Sequence, residues 1–255
     1  MVGLLADTDP PVFQVLHETG TSPFVLACDH AGRSLPRALG DLGLGESELQ
    51  RHIAWDIGIA GVGRLLAEKL DAFLILHGYS RLVIDANRPP GSPQSIAQIS
   101  EATTIPGNVG LTPDEIRLRE EEVFWPYHRR IAAELDRRAQ LGLPCIYIAL
   151  HSFTPVYLGN ARAWHMGVLY QRDARVARLM LDQLRTEAGL LVGDNEPYFV
   201  SDATDYSVVN HGERRGLLHV ELELRQDLIA EPAGQRAWAD RLARVLEQVQ
   251  RSFLG

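Results

Sequence analysis

Val25-Leu26-Ala27-Cys28-Asp29-His30, running into Ala31-Gly32-Arg33, and Ile146-Tyr147-Ile148-Ala149-Leu150-His151, running into Ser152-Phe153-Thr154-Pro155, read as two buried strands. Each ends in a histidine at a polar turn. Apolar residues on both faces mark strands covered by helices on each side, as in a mostly parallel sheet. Such a sheet binds ligands beyond the carboxyl ends of its strands. A third segment, Leu217 to Arg225, alternates so that His219, Glu221, Glu223 and Arg225 share one face. Imidazoles and carboxylates gathered at strand ends are the donors of a catalytic zinc site, which takes three protein ligands and leaves one position open.

Outward from these strands, helices and strands alternate. Residues 11–19 have the pattern of a short amphipathic helix. Residues 46–69 carry Ile53, Ile57, Ala60, Gly61, Leu65 and Leu66 at helical spacing. Phe73 to His77 and Leu82 to Ile84 read as short β runs. Residues 88–112 form a Pro-, Ser- and Gly-rich excursion that keeps Ile96, Ile99 and Ile105, which predicts an ordered functional flap. Thr112 and Pro113 open a long helix that runs to about Gln140, where Gly142 and Pro144 stop it. Strands are predicted at 145–150, 166–170, 190–192 and 217–224, helices at 173–188 and 234–252, and a polar loop at 195–216. The alternation predicts an α/β fold with helices on both faces of the sheet, as a single domain over residues 1–255.

Composition excludes several classes. The 255 residues carry a net charge of −8, and their arginines are interleaved with acids, which argues against a nucleic-acid partner. No apolar run approaches the roughly 20 residues that span a bilayer. The first ten residues lack the basic start of a signal peptide. The expectation is a cytoplasmic protein with no membrane partner, monomeric or homodimeric. Cys28 and Cys145 sit in apolar runs without Cys-x-x-Cys spacing and read as free, buried thiols.

The candidate site residues follow. His30 and His151 are strand-end metal ligands. Asp56 is the candidate third ligand, because His52 and Asp56 stand four apart and would share a helix face; the plainer reading is an acid favoured by a helix start. Glu221 and Glu223 need partners if buried. One would be the general base and the other paired to an arginine, unless the strand is an exposed edge. Arg81 and Arg88 bracket a β run, and the guanidinium fork suits a substrate carboxylate, although Asp85 is placed to satisfy one of them. His211 precedes Gly212 in a polar loop, as a substrate hydrogen-bonding group or an ordinary surface histidine.

Several of these segments together resemble the N-formylglutamate amidohydrolase family. They are Cys28 to Ala31, His52 to Gly58, Ser80 to Pro90, Ile105 to Asn108, Leu150 to Pro155, Gly193 to Tyr198, Thr204 to Tyr206 and Val220 to Asp227. The likeness covers roughly residues 22–250. The family is similar in fold to zinc carboxypeptidases and aspartoacylase. The resemblance therefore implies a three-layer α/β/α fold with a central mixed, mostly parallel sheet. It implies that Asn87 and Arg88 hold a substrate carboxylate, that Glu223 is the catalytic base with Glu221 its supporting neighbour, and that His151 is the late histidine ligand. The implied cofactor is zinc, with manganese or cobalt compatible with the same donors. The implied reaction is hydrolysis of an N-acyl, in this family N-formyl, acidic amino acid such as N-formyl-L-glutamate. The alternatives are a deacylase or carboxypeptidase for another N-acyl or peptide substrate, and a metal-free homologue that binds a small acidic ligand. One position departs from the relatives: Arg33 stands three residues after His30, where carboxypeptidases carry a ligating glutamate. Asp56 becomes the candidate substitute, and Arg33 a candidate anion contact.

Overall fold

The computed structural model describes residues 3–255. In chain order its elements are β1 (Phe13–Leu16), β2 (Phe24–Cys28), α1 (Glu46–Leu49), α2 (Ile59–Leu70), β3 (Phe73–His77), the β4–β5 hairpin (Ile99–Ser100 and Thr103–Thr104), α3 (Pro113–Arg119) and α4 (Trp125–Gln140). Then come β6 (Ile146–Phe153), the β7–β8 hairpin (Val156–Tyr157 and Asn160–Ala161), β9 (Met166–Leu169), α5 (Arg175–Leu184), β10 (Val192–Asp194), β11 (Leu218–Arg225) and α6 (Pro232–Leu254).

The main sheet has seven strands in the order β1-β3-β2-β6-β11-β9-β10. Its centre, β3-β2-β6-β11, is parallel. β1 lies antiparallel on β3, and β9 antiparallel on β11 with β10 parallel to it. One face carries Leu26, Ile148, Leu150, Val220 and Leu222 against α2, α5 and α6. The other carries Val25, Ala27, Phe73, Tyr147 and Ala149 against Tyr127 and Ile131 of α4. This is the predicted three-layer mixed sheet, and it explains why β2 and β6 are apolar on both sides. Burying each of these large aliphatic side chains contributes about 2 kcal/mol.

Local structure departs from the sequence reading at several places. Residues 13–16 form an edge strand, where a helix was expected. The apolar Val12, Phe13 and Val15 pack on the α4 side while Gln14 is exposed, and the unpaired edge of β3 supplies the backbone partners. The predicted helix over 46–69 is broken into α1 and α2. Between them the Asp56 N–H donates to the His30 carbonyl at 2.9 Å, and the Ala54 carbonyl accepts from Ser80 Oγ and the Arg81 N–H. His52 and Asp56 therefore do not share a helix face. Residues 82–84 are turn and irregular backbone, since two of their carbonyls serve side chains: Asn108 Nδ2 donates to Leu82 and Arg119 Nη1 to Val83. The long helix is present with its Thr112–Glu115 capping box, but a π-helical turn over Glu120–Phe124 joins α3 to α4. The predicted loop 195–216 contains a second π-helical turn, Val208–Gly212. Residues 88–112 hold the β4–β5 hairpin, pinned by Asn108, whose amide donates to both Leu82 and Ala97. Both cysteines are free.

Candidate functional site

Strand register assembles the site. Ala27 pairs with Ile75 and with Ala149, and Glu223 pairs with His151 and with Gly167. Two residues along each parallel strand restores the same face. His77, Asp29, His151, Glu223 and Gly167 thus form one row across the sheet, at the carboxyl ends of its parallel strands. His30 leaves β2 directly after Asp29. Gly167 is needed here, because a Cβ on it would lie 2.2 Å from the Glu196 carbonyl oxygen. Its absence lets the loop around residues 195–200 lie close to the row.

His30, Asp56 and His151 converge, with one donor atom from each within 4.8 Å of the others. All three are buried. Asp56 Oδ2 is 3.5 Å from His30 Nδ1 and 3.0 Å from His151 Nδ1, and it accepts the Ser152 N–H at 3.0 Å. Each imidazole turns its other nitrogen to a further carboxylate. His30 Nε2 is 2.6 Å from Asp85 Oδ1. His151 Nε2 is 3.2 Å from Asp29 Oδ2, as an ion contact without aligned hydrogen-bond geometry. A carboxylate behind each histidine is the usual way to fix the tautomer and orientation of a metal-ligating imidazole.

The donor set fits a divalent ion. His30 Nδ1 is buried with no hydrogen-bond partner, and a buried unpaired nitrogen is costly unless something binds it. The buried carboxylates of Asp29, Asp56 and Asp85 face one guanidinium, that of Arg81, so acids outnumber permanent cations here and the site favours a positive charge. His151 registers this field. Burial opposes charge on its ring, but the Asp29 and Asp56 carboxylates outweigh burial and hold its pKa well above the usual range. Burial likewise opposes ionisation of Asp56, yet the two histidines keep its pKa low.

Glu221 and Glu223 are both buried on an interior strand, which disposes of the exposed-edge reading. Each has an oxygen, Oε2, without a hydrogen-bond partner. Burial pushes both carboxyls up; Glu223 is also raised by Asp56 and opposed by His151. An unpaired carboxyl oxygen beside the histidine row can take and return a proton.

The other candidates are placed as follows. Arg81 is bound to Asp85 through Nε at 2.9 Å and Nη2 at 2.6 Å, and its Nη1 is 3.6 Å from Asp56. It is held by Asp85, which lies behind His30, and by the candidate ligand Asp56. Asn87 Oδ1 accepts the N–H groups of Tyr206 and Ser207, and its Nδ2 donates to Asp205, so its amide fastens the 204–207 loop. Arg88 donates through Nη1 to the carbonyls of Asn87 and Thr204 and lies 3.8 Å from Asp205. His211 is a buried residue, not a surface one. Its Nε2 is 3.0 Å from His128 Nδ1, and His128 Nε2 is bound to the Ala86 carbonyl. Arg33 is half-exposed, 3.6 Å from Glu46 and over Trp55. Sequence reading did not single out Asp29, whose Oδ1 also accepts Tyr127 Oη–H at 2.8 Å, and treated Asp85 only as an arginine partner.

No helix of the described residues is long and apolar enough to cross a membrane. No curated protein matches the chain in sequence. Among solved structures, gene product Atu2144 from Agrobacterium tumefaciens is similar with a TM-score of 0.95 and 35% identity, over 99% of this chain and 100% of that one. N-formylglutamate amidohydrolase from Ralstonia eutropha JMP134 shares the fold with a TM-score of 0.66 and 18% identity, over 95% and 100% of the two chains. The sequence profile of one family matches residues 22–230, which include every candidate ligand and the candidate base. On that match the chain belongs to the N-formylglutamate amidohydrolase family.

Proposed function

We propose that the protein hydrolyses the amide of an N-formyl amino acid with an acidic side chain, N-formyl-L-glutamate being the first candidate, to give formate and the free amino acid. The observation that carries the reading is the convergence of His30, Asp56 and His151 beside a buried carboxyl, Glu223, in the same strand row. These three residues would hold one divalent ion, zinc by donor type with manganese or cobalt as substitutes. Such an ion supplies Lewis acidity toward an amide carbonyl and toward water.

The chain's own groups do the rest. Glu223 Oε2 takes a proton from the attacking water and delivers it to the leaving amine nitrogen. Burial, with Asp56 adding to it, raises the Glu223 carboxyl and so keeps it ready to hold that proton, and Glu221 is its neighbour two residues back on the same face. Arg88 meets a substrate carboxylate with the donors it does not spend on Asn87 and Thr204, which fixes the amide for attack. Asn87 holds the 204–207 loop against Arg88. Arg81 and Asp85 keep the His30 ring oriented.

Two measurements test this together. Protein purified without chelator should contain one equivalent of divalent metal, lost in His30→Ala and in His151→Ala. A screen of N-formyl, N-acetyl and N-succinyl amino acids, following amine release, should give fastest turnover with an N-formyl acidic amino acid. A metal-free protein, or one that turns over none of them, would overturn the proposal.

A further inference from the structure

An N-acyl acidic amino acid carries two carboxylates, and one arginine cannot clamp both ends of it. Arg81, nearest the metal donors, is already neutralised by Asp85 and Asp56. Arg88 accounts for one carboxylate. A second cation must stand at the site's mouth.

Arg162, the residue that follows β8, is the candidate for it. Its guanidinium carbon lies 4.7 Å from the ring centre of Tyr157 and 4.7 Å from that of Tyr198, with Phe153 at 5.7 Å. Its Nη1 donates to Tyr198 Oη at 2.6 Å. Its carbonyl accepts from Arg225 Nη1 at 3.3 Å. Phe153 and Arg225 pair with each other, two residues beyond the paired His151 and Glu223. At about 3.3 Å per residue, Arg162 is therefore held by side chains that leave their strands roughly 7 Å beyond the row that holds the base. Tyr198 belongs to the loop that Gly167 admits close to this row. Its phenol is raised by burial and next by Glu223, consistent with a place between Arg162 and the base.

Among the described residues Arg162 has no carboxylate within ion-pair distance. The aromatic rings hold the guanidinium by its quadrupole attraction without neutralising it. A cation held rigid by neutral groups keeps both its charge and its donor edge for a ligand, and little entropy is lost on binding.

We propose that Arg162, clasped by Tyr157 and Tyr198, forms a second carboxylate subsite that reads the acidic side chain of the substrate while Arg88 takes the carboxylate nearer the scissile amide. The assignment rests on the amidohydrolase reading for its substrate, but the subsite is measurable without turnover. Calorimetry on the protein as purified compares glutarate with its monoamide, glutaramate. The parent should bind glutarate at least tenfold more tightly. Arg162→Gln should bind the two alike, Arg162→Lys should keep part of the difference, and Arg88→Gln should weaken both together. Thermal melting confirms that each variant is folded. A parent without the preference, or a preference undiminished in Arg162→Gln, overturns the subsite. Turnover of N-formyl-L-glutamate is followed separately. The dicarboxylate preference without turnover would remove the proposed reaction and leave the subsite in place.

Discussion

Asp85→Asn is the substitution that probes the site's electrostatics most directly. One carboxylate there serves four donors: His30 Nε2 at 2.6 Å and the Asn87 N–H at 2.9 Å on Oδ1, Arg81 Nε at 2.9 Å and Nη2 at 2.6 Å on Oδ2. Asparagine keeps the shape but has one acceptor oxygen and one amide nitrogen. If the oxygen stays with His30 and Asn87, the new NH₂ faces the Arg81 donors. If the amide flips, the NH₂ faces the Asn87 N–H and, whenever Nε2 carries its proton, His30 as well. A donor meets a donor either way. The Coulomb energy of the lost pair at about 3 Å is about 5 kcal/mol for an effective dielectric of about 20. Water reaches the quarter-exposed Arg81 side chain and recovers part of that. The net loss should be about 3 kcal/mol, the lower end for breaking a buried pair. For a protein of this size that lowers Tm by roughly 6–12 °C. Metal affinity should fall by about 10- to 100-fold, since His30 loses its orienting partner. Differential scanning calorimetry and a competitive chelator titration read the two effects. A variant that melts within about 2 °C of the parent and binds metal as tightly would refute both the charge balance and the role given to Asp85.

Two more outcomes follow from other parts of the site. Glu223→Gln should retain metal and substrate affinity and lose turnover by roughly 10²- to 10⁴-fold; near-parental turnover would transfer the base to Glu221. Acid should destabilise the fold through its buried histidines. Burial lowers His77 and His211 to about 4 from the ordinary histidine value of about 6.5, so the unfolded chain binds more protons between those limits. Stability is whole above pH 6.5 and falls as pH drops toward 4, by about 3 kcal/mol for each of the two. Burial pushes His128 well below its usual value and acts in the same direction. Urea midpoints measured from pH 7 to pH 4 should fall accordingly, and a flat profile would count against these imidazoles being buried and neutral.

The buried central strands were legible because a strand covered on both faces leaves a run of apolar residues that nothing polar interrupts. β2, β6 and the alternating β11 are found within a few residues of where sequence reading puts them. Edge strand β1 was not, because four residues cannot distinguish a period of two from one of 3.6. The β-like run Leu82 to Ile84 misled for a different reason. Its carbonyls are taken by Asn108 and Arg119, residues about 26 and 36 positions away, and no local pattern announces that. Asp29 shows the same limit within the site. Its alternation with Val25 and Ala27 was visible, but its alignment with His151 depends on register between strands about 120 residues apart. Arg162 was missed because only one of its rings, Tyr157 of β7, is near in sequence, while Tyr198 comes from a loop 36 residues on.

The departure at Arg33 also has a structural reason. In a His-x-x-Glu arrangement the two ligands are fixed to each other by three residues of chain. Here the segment after His30 passes so close to Gly78 that a Cβ on Gly32 would lie 2.1 Å from the Gly78 carbonyl oxygen. Ser34 then donates to that same carbonyl, and Ser80 N–H to Ser34. The chain is committed to running alongside residues 78–80, and Arg33 is directed to the surface, where Glu46 meets it. A carboxylate from another segment can replace the missing ligand only if its backbone is tied to His30. Asp56 meets that condition through its N–H, which donates to the His30 carbonyl, and its Oδ2 is tied as well to the second histidine's strand, where it accepts the N–H that follows His151. Hydrogen bonds at 2.9 and 3.0 Å thus do the work of chain proximity. The same commitment delivers Ser80 and Arg81 to the carbonyl of Ala54, two residues before Asp56. The strap that excludes the usual ligand therefore supports the candidate proposed in its place.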